Sequence, residues 1–87
     1  MSAYNLYVPP FIEHRLADLV VDCISLRSKI TKANHRIETL LSIRPETAGV
    51  HLSEGLYRID DYPLRVHFSI DSILGEVEIL ELDLWLD

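Results

Sequence analysis

Residues 54–87 read EGLYRIDDYPLRVHFSIDSILGEVEILELDLWLD. This run decides the fold. Its middle stretch, Pro63–Ile70, alternates strictly: Leu64, Val66, Phe68 and Ile70 point to one side, Arg65, His67 and Ser69 to the other. That is a strand with one core face and one polar face. A shorter strand, Leu56–Asp60, precedes it and joins it through Asp60, Asp61 and Tyr62. Asp71 to Gly75 makes the next turn, and a closing strand starts at Glu76. In the closing strand the parity changes. Val77 and Ile79 share one phase, whereas Leu80, Leu82, Leu84 and Leu86 share the other. A slip of one residue reverses every side chain, so a β-bulge near Ile79 and Leu80 restores a single apolar face. Partial burial of both faces is the alternative.

Upstream, YNLYV is a short strand ended by Pro9 and Pro10, which cannot donate to a ladder. Proline is tolerated in a first helical turn, so a helix begins just after it. Ile12, Leu16, Leu19, Val20, Cys23, Ile24 and Leu26 form one wide stripe, and the spacing predicts a helix of about 16 residues from Phe11. Ser28 or Thr31 is positioned to cap a second helix whose buried face is Ile30, Ala33, Ile37, Leu40 and Leu41. Pro45 ends it, because the residue before proline avoids the α region. The short link makes the two helices an antiparallel hairpin. Residues 45–54 read as a loop with Gly49 as its turn point. The order β-α-α-β-β-β predicts a two-layer α+β fold: an N-terminal strand, a helical hairpin, then a three-stranded antiparallel meander. The first strand pairs either with the middle of the later strands or at an edge.

The chain of 87 residues reads as one domain, 1–87, and its 48% hydrophobic content excludes disorder. Its single cysteine, Cys23, has no internal disulfide partner, which points to a reducing compartment. It sits in an apolar run and reads as a small buried hydrophobe. No apolar run reaches the length of a membrane span and no signal peptide is recognisable, so a cytoplasmic location is expected. Residues 1–44 hold six basic and four acidic side chains; residues 45–87 hold two basic and ten acidic ones. The sheet half is therefore strongly acidic, which argues against nucleic acid as a partner.

The polar sheet face, with the bulge in place, carries Arg58, Arg65, His67, Ser69, Glu78, Glu81, Asp83 and Trp85. The hairpin is expected to bring Arg58 near Arg65, and like charges across a ladder need neutralising, by a phosphate or a carboxylate. The nearer answer lies within the chain: the next turn is expected to set Glu78 near His67 and Glu81 near Arg65. His14, His35, His51 and His67 have no metal-ligand spacing, and no phosphate loop, dinucleotide fingerprint or nucleophile elbow occurs. No metal and no cofactor is expected. Trp85 reads equally as a contact anchor or as a cover for the sheet edge.

A short strand, a helical hairpin ending in RIETLLSIRPETAG, then LSEGLYRID, PLRVHFSID and EVEILELDLW follow one another as in the RelE/ParE toxin superfamily. The chain resembles that superfamily over almost its whole length, through its core pattern together with Pro45, Gly49, Gly55 and Arg58. The resemblance implies a bacterial, cytoplasmic, toxin-like protein of a type II toxin-antitoxin system. In the ribosome-dependent branch it implies messenger RNA cleavage, with Arg58, Arg65 and His67 as the catalytic candidates. The arginines would stabilise phosphate charge as the ribose 2′-hydroxyl attacks, and His67 would handle a proton. Three functions follow. The preferred one is a non-catalytic relative that binds a protein, either its cognate antitoxin or a target such as gyrase. The second is an active endoribonuclease. The third is a structural module that forms a homodimer through Leu84, Trp85 and Leu86.

Overall fold

The alternation along residues 64–70 forms the centre of a five-stranded sheet. The computed structural model describes residues 4–86, and Asp87, the last residue of the quoted run, lies outside them. The elements are β1 (Asn5–Tyr7), α1 (Pro10–Asp22), a 3₁₀ turn (Ile24–Leu26), α2 (Arg27–Ile43), α3 (Pro45–Ala48), β2 (Val50–Ser53), β3 (Leu56–Asp61), β4 (Leu64–Asp71) and β5 (Glu76–Leu84). The spatial order is β1-β5-β4-β3-β2, with β1 parallel to β5 and every other pair antiparallel. The helices cover one face, giving the expected two-layer α+β arrangement, and β1 takes an edge.

Helix α1 starts with Pro10 at its first position and buries Ile12 and Leu19. It stops at Cys23, whose backbone leaves the helical region (φ −118°, ψ 64°) while its N–H still reaches Leu19 O. Cys23 is half-buried against the core. Helix α2 buries Ile30, Ala33, Ile37 and Leu41 at helical spacing and ends at Arg44, which Pro45 pushes to φ −146°. Neither Ser28 nor Thr31 caps it. The helix begins earlier, at Arg27, and the Thr31 hydroxyl donates back to the Arg27 carbonyl at 3.0 Å. The core is completed by Ile59, Leu64, Val66, Phe68, Val77, Ile79 and Leu82 from the sheet.

The bulge lies where the parity change put it. The β4–β5 register passes from His67↔Glu81 to Phe68↔Ile79, so Leu80 has no partner on β4. Val77, Ile79 and Leu82 consequently all face the helices.

The segment 45–54 is not a loop. Pro45 opens the one-turn α3, and Val50–Ser53 pairs antiparallel with β3. Gly49 is extended (φ −117°, ψ −178°) and makes no turn. Its role is close approach: a Cβ there would lie 2.7 Å from the Arg58 carbonyl oxygen and 2.9 Å from Phe68 Cζ. The turn glycine is Gly55, at φ 73° between β2 and β3.

Polar contacts pin the two layers together. Arg36 of α2 forms a two-pronged pair with Asp61, at 2.8 and 2.7 Å. Arg15 of α1 donates to Leu82 O at 3.2 Å and to Asp83 at 2.9 Å. At the other end, the Tyr4 hydroxyl donates to Glu46.

Candidate functional site

Helices occupy one side of the sheet, so the chemistry-bearing side chains collect on the other. Strand β3 supplies Arg58 and Asp60, β4 supplies Arg65, His67 and Ser69, and β5 supplies Glu78, Glu81 and Asp83. Opposed residues of a ladder share a face. Arg58 opposes His67, and Asp60 opposes Arg65. On the other flank of β4, Arg65 opposes Asp83, His67 opposes Glu81, and Ser69 opposes Glu78.

The sequence-derived candidates Arg58, Arg65 and His67 therefore meet on adjacent strands, but in a different register from the expected one. Arg58 was expected beside Arg65; the β3–β4 turn makes His67 its opposite number and places Asp60 opposite Arg65. Glu78 was expected near His67 and Glu81 near Arg65. The β4–β5 turn closes with Asp71 opposite Glu76, so Glu78 opposes Ser69, and beyond the bulge Glu81 meets His67 and Asp83 meets Arg65.

Asp60 is the hub of this face, whereas the sequence placed it where the strand Leu56–Asp60 meets the turn and gave it no partner. Its Oδ1 accepts from Arg65 Nε at 2.8 Å and its Oδ2 from Arg65 Nη2 at 3.2 Å. Arg58 Nε stands 3.4 Å from the same Oδ2, an ion pair without hydrogen-bond geometry. The Asp60 side chain is 19% exposed, against 30% for Arg58 and 32% for Arg65. His67 Nδ1 lies 3.6 Å from Glu81 Oε1, also outside hydrogen-bond geometry. The available signal was the two-residue period, which puts Asp60 on the same face as Arg58.

The three residues expected to bind a partner have different surroundings. Leu84 is partly buried against the core. Trp85 donates its backbone N–H to Pro63 O at 2.7 Å, and its ring lies 5.0 Å from Arg65 Cζ, a cation–π contact. Leu86 is 54% exposed. Trp85 is thus half-buried beside the arginine face, and Leu86 is the solvent-facing member of the trio.

Other constellations stand apart from this face. His14 and His35 are exposed on their helices, and the His51 ring is 5.0 Å from that of Tyr57. A groove of about 370 Å³ between α1 and β5 is lined by Phe11, His14, Arg15, Asp18 and Glu81, among others. A notch of about 480 Å³ at the far end is lined by Glu46, Glu54, Tyr57 and Asp71, among others. Neither is lined by Arg58, Arg65 or His67. Among the described residues no group of three or more His, Cys, Asp or Glu side chains is placed to hold a metal ion, and no helix is long and apolar enough to cross a membrane.

No protein-family profile and no curated protein matches this chain. One chain of the crystal structure of the toxin-antitoxin complex RelBE2 from Mycobacterium tuberculosis superposes on it with a TM-score of 0.68. The two are 20% identical, over 100% of this chain and 97% of that one. The fold is RelE-like, as the sequence resemblance implied.

Proposed function

We propose that this chain is a toxin-like component of a bacterial type II toxin-antitoxin system that works in the cytoplasm by binding a protein, its antitoxin or a target, and not by catalysis. Support for the toxin-antitoxin setting comes from the likeness to a chain of the RelBE2 complex over its full length. The observation that carries the choice of binding over catalysis is the internal compensation of the sheet face. Both arginines converge on Asp60, and His67 faces Glu81. An RNA phosphate approaching this face meets paired cations and a row of carboxylates, Glu78, Glu81 and Asp83, so electrostatic attraction is lacking where cleavage needs it. A charge-mixed surface flanked by Trp85 and Leu86 suits a protein partner better.

One observation favours a second reading. Arg58, Arg65 and His67 do lie together, on neighbouring strands, in the grouping that phosphodiester cleavage would use. Induced expression in bacteria separates the two. Binding predicts that any growth arrest proceeds with intact transcripts, whether or not Arg58→Ala/Arg65→Ala weakens it. Arrest accompanied by transcript cleavage, and abolished in that double variant, would establish the endoribonuclease instead.

A further inference from the structure

We propose that the β4–β5 turn is a docking tip, whose Ile73 and Leu74 enter an apolar recess of a partner protein rimmed by lysine or arginine. The inference names a surface and a partner chemistry for the protein-binding reading, and rests on that reading.

The turn exposes what a turn ordinarily avoids. Residues 71–75 read DSILG, and its aspartate, serine and glycine are common turn residues. Between them stand two large aliphatic side chains, Ile73 at 93% exposure and Leu74 at 64%. Ile73 therefore adds almost nothing to the core, and its apolar surface is free to be buried by something else. The backbone beneath the pair is fixed. Asp71 Oδ1 accepts from the N–H groups of both Ile73 and Leu74, at 3.1 Å each. Gly75 closes the turn at φ 68°, and its carbonyl accepts from the Asn5 N–H at 2.9 Å. Side chains presented on a tied turn leave less backbone freedom to be lost on docking.

The charges around the tip select the occupant. Ile73 lines the notch of about 480 Å³ together with Tyr57 and Ile70. Glu46, Glu54 and Asp71 line the same notch, and no lysine, arginine or histidine does. Glu76 follows the turn directly. Glu46 accepts from the Tyr4 hydroxyl, but among the described residues none of these four carboxylates is in an ion pair. An anionic membrane surface and a nucleic-acid backbone are both repelled from such a rim. A cationic protein surface is attracted. Lysine and arginine also suit the notch in shape, since their aliphatic stems can lie along Tyr57, Ile70 and Ile73 while their heads reach the carboxylates. This surface is distinct from the Trp85 and Leu86 end. Gly75 precedes the first residue of β5 and Trp85 follows its last, so the length of that strand separates the two.

The test uses the full chain, isotopically labelled for NMR, and three blocked hexapeptides of alternating composition: lysine–leucine, lysine–serine and glutamate–leucine. The expected result is that the lysine–leucine peptide moves the signals of Tyr57, Ile70, Ile73 and Leu74, and that the other two bind about tenfold more weakly. Ile73→Ser/Leu74→Ser should lose about tenfold in affinity for the lysine–leucine peptide. Glu54→Gln should lose more than Glu78→Gln, which removes the same charge from the sheet face opposite Ser69. Undiminished binding by the serine pair would overturn the proposal. So would equal binding of the lysine–serine peptide, because charge alone would then explain it. Signal changes confined to Trp85 and Leu86 would overturn it too, while leaving the protein-binding reading in place. Rival occupants have their own signatures. Binding to phosphatidylglycerol vesicles that the serine pair abolishes would assign the tip to a membrane. Concentration-dependent movement of the Ile73 signal without peptide would assign it to a second copy of the chain. Either result overturns the proposal. Thermal unfolding verifies the fold of each variant, and Leu74→Ser alone carries the comparison should the double variant not fold.

Discussion

Tyr4 and Glu46 illustrate how a single contact sets a pH response. The hydrogen bond to Glu46 raises the Tyr4 hydroxyl above its ordinary value of 10.0, with burial and the Glu46 charge acting in the same direction. The protonated phenol is the form that the fold favours. Its contribution to stability is therefore complete below pH 10.0 and is lost as pH climbs through the higher folded-state value. Tyr4→Phe lacks the contribution altogether. In urea unfolding, the gap between wild type and Tyr4→Phe should stay constant up to pH 10.0 and narrow above it. A gap that widens on the alkaline side would contradict the assignment. At this scale the sequence was a partial guide. Arg58, Arg65 and His67 were legible because alternation alone fixes their face. Asp60 was not, since its role depends on which residue opposes Arg65, and that register is fixed by where the turn through Tyr62 and Pro63 closes.

Among the elements, β5 carries the clearest message. Its broken alternation marked a bulge, and Leu80 is the residue that β4 leaves unopposed. Without Leu80, the run Val77, Ile79, Leu82, Leu84 regains an uninterrupted two-residue period. Deletion of Leu80 should thus be tolerated, costing about 1 kcal/mol or less with cooperative unfolding preserved, because the residue is a partly exposed supernumerary. Deletion of Leu82 should cost roughly 3–5 kcal/mol, since it empties a buried site and turns the end of the strand over. Similar losses in chemical denaturation for the two deletions would argue against the bulge. The segment 45–54 shows the opposite case. Strand β2 is exposed on every residue and has no core face, so no hydrophobic period announces it. What creates it is the Gly55 turn, which folds the chain back along β3. Gly49 misled for a related reason: it is needed to let the Arg58 backbone and Phe68 come close, a demand that only the packed structure reveals.

For the molecule as a whole, the order of the elements other than α3 and β2 was legible, because each change of hydrophobic period among them marks a change of element. The position of β1 was open, because three residues cannot declare their partner. The described chain has a Cα radius of gyration of 12.6 Å and extents of 39 × 25 × 21 Å. Of the three residues put forward for a homodimer, Leu84 packs on its own core and Trp85 leans on its own Arg65. That leaves Leu86 with little apolar area to share with a second copy. The protein at tens of micromolar should therefore scatter X-rays as a monomer. A radius near 16 Å, the value for a compact particle of twice the length, would instead support the dimer.

The pairing of β1 with β5 also has a consequence in time. Asn5 to Tyr7 lie against Glu76 to Glu78, so the sheet joins its first strand in chain order to its last. On an elongating ribosome β1 is made before β5 and has nothing to lie against until Glu76 to Glu78 have been added. The β3–β4 and β4–β5 hairpins, by contrast, close over short loops and can form as soon as they emerge. Assembly is thus expected to run from the hairpins outward, with the N-terminal strand docking last. A chain cut short before Glu76 would keep its helices and one hairpin but never acquire the strand on which its own beginning is meant to dock.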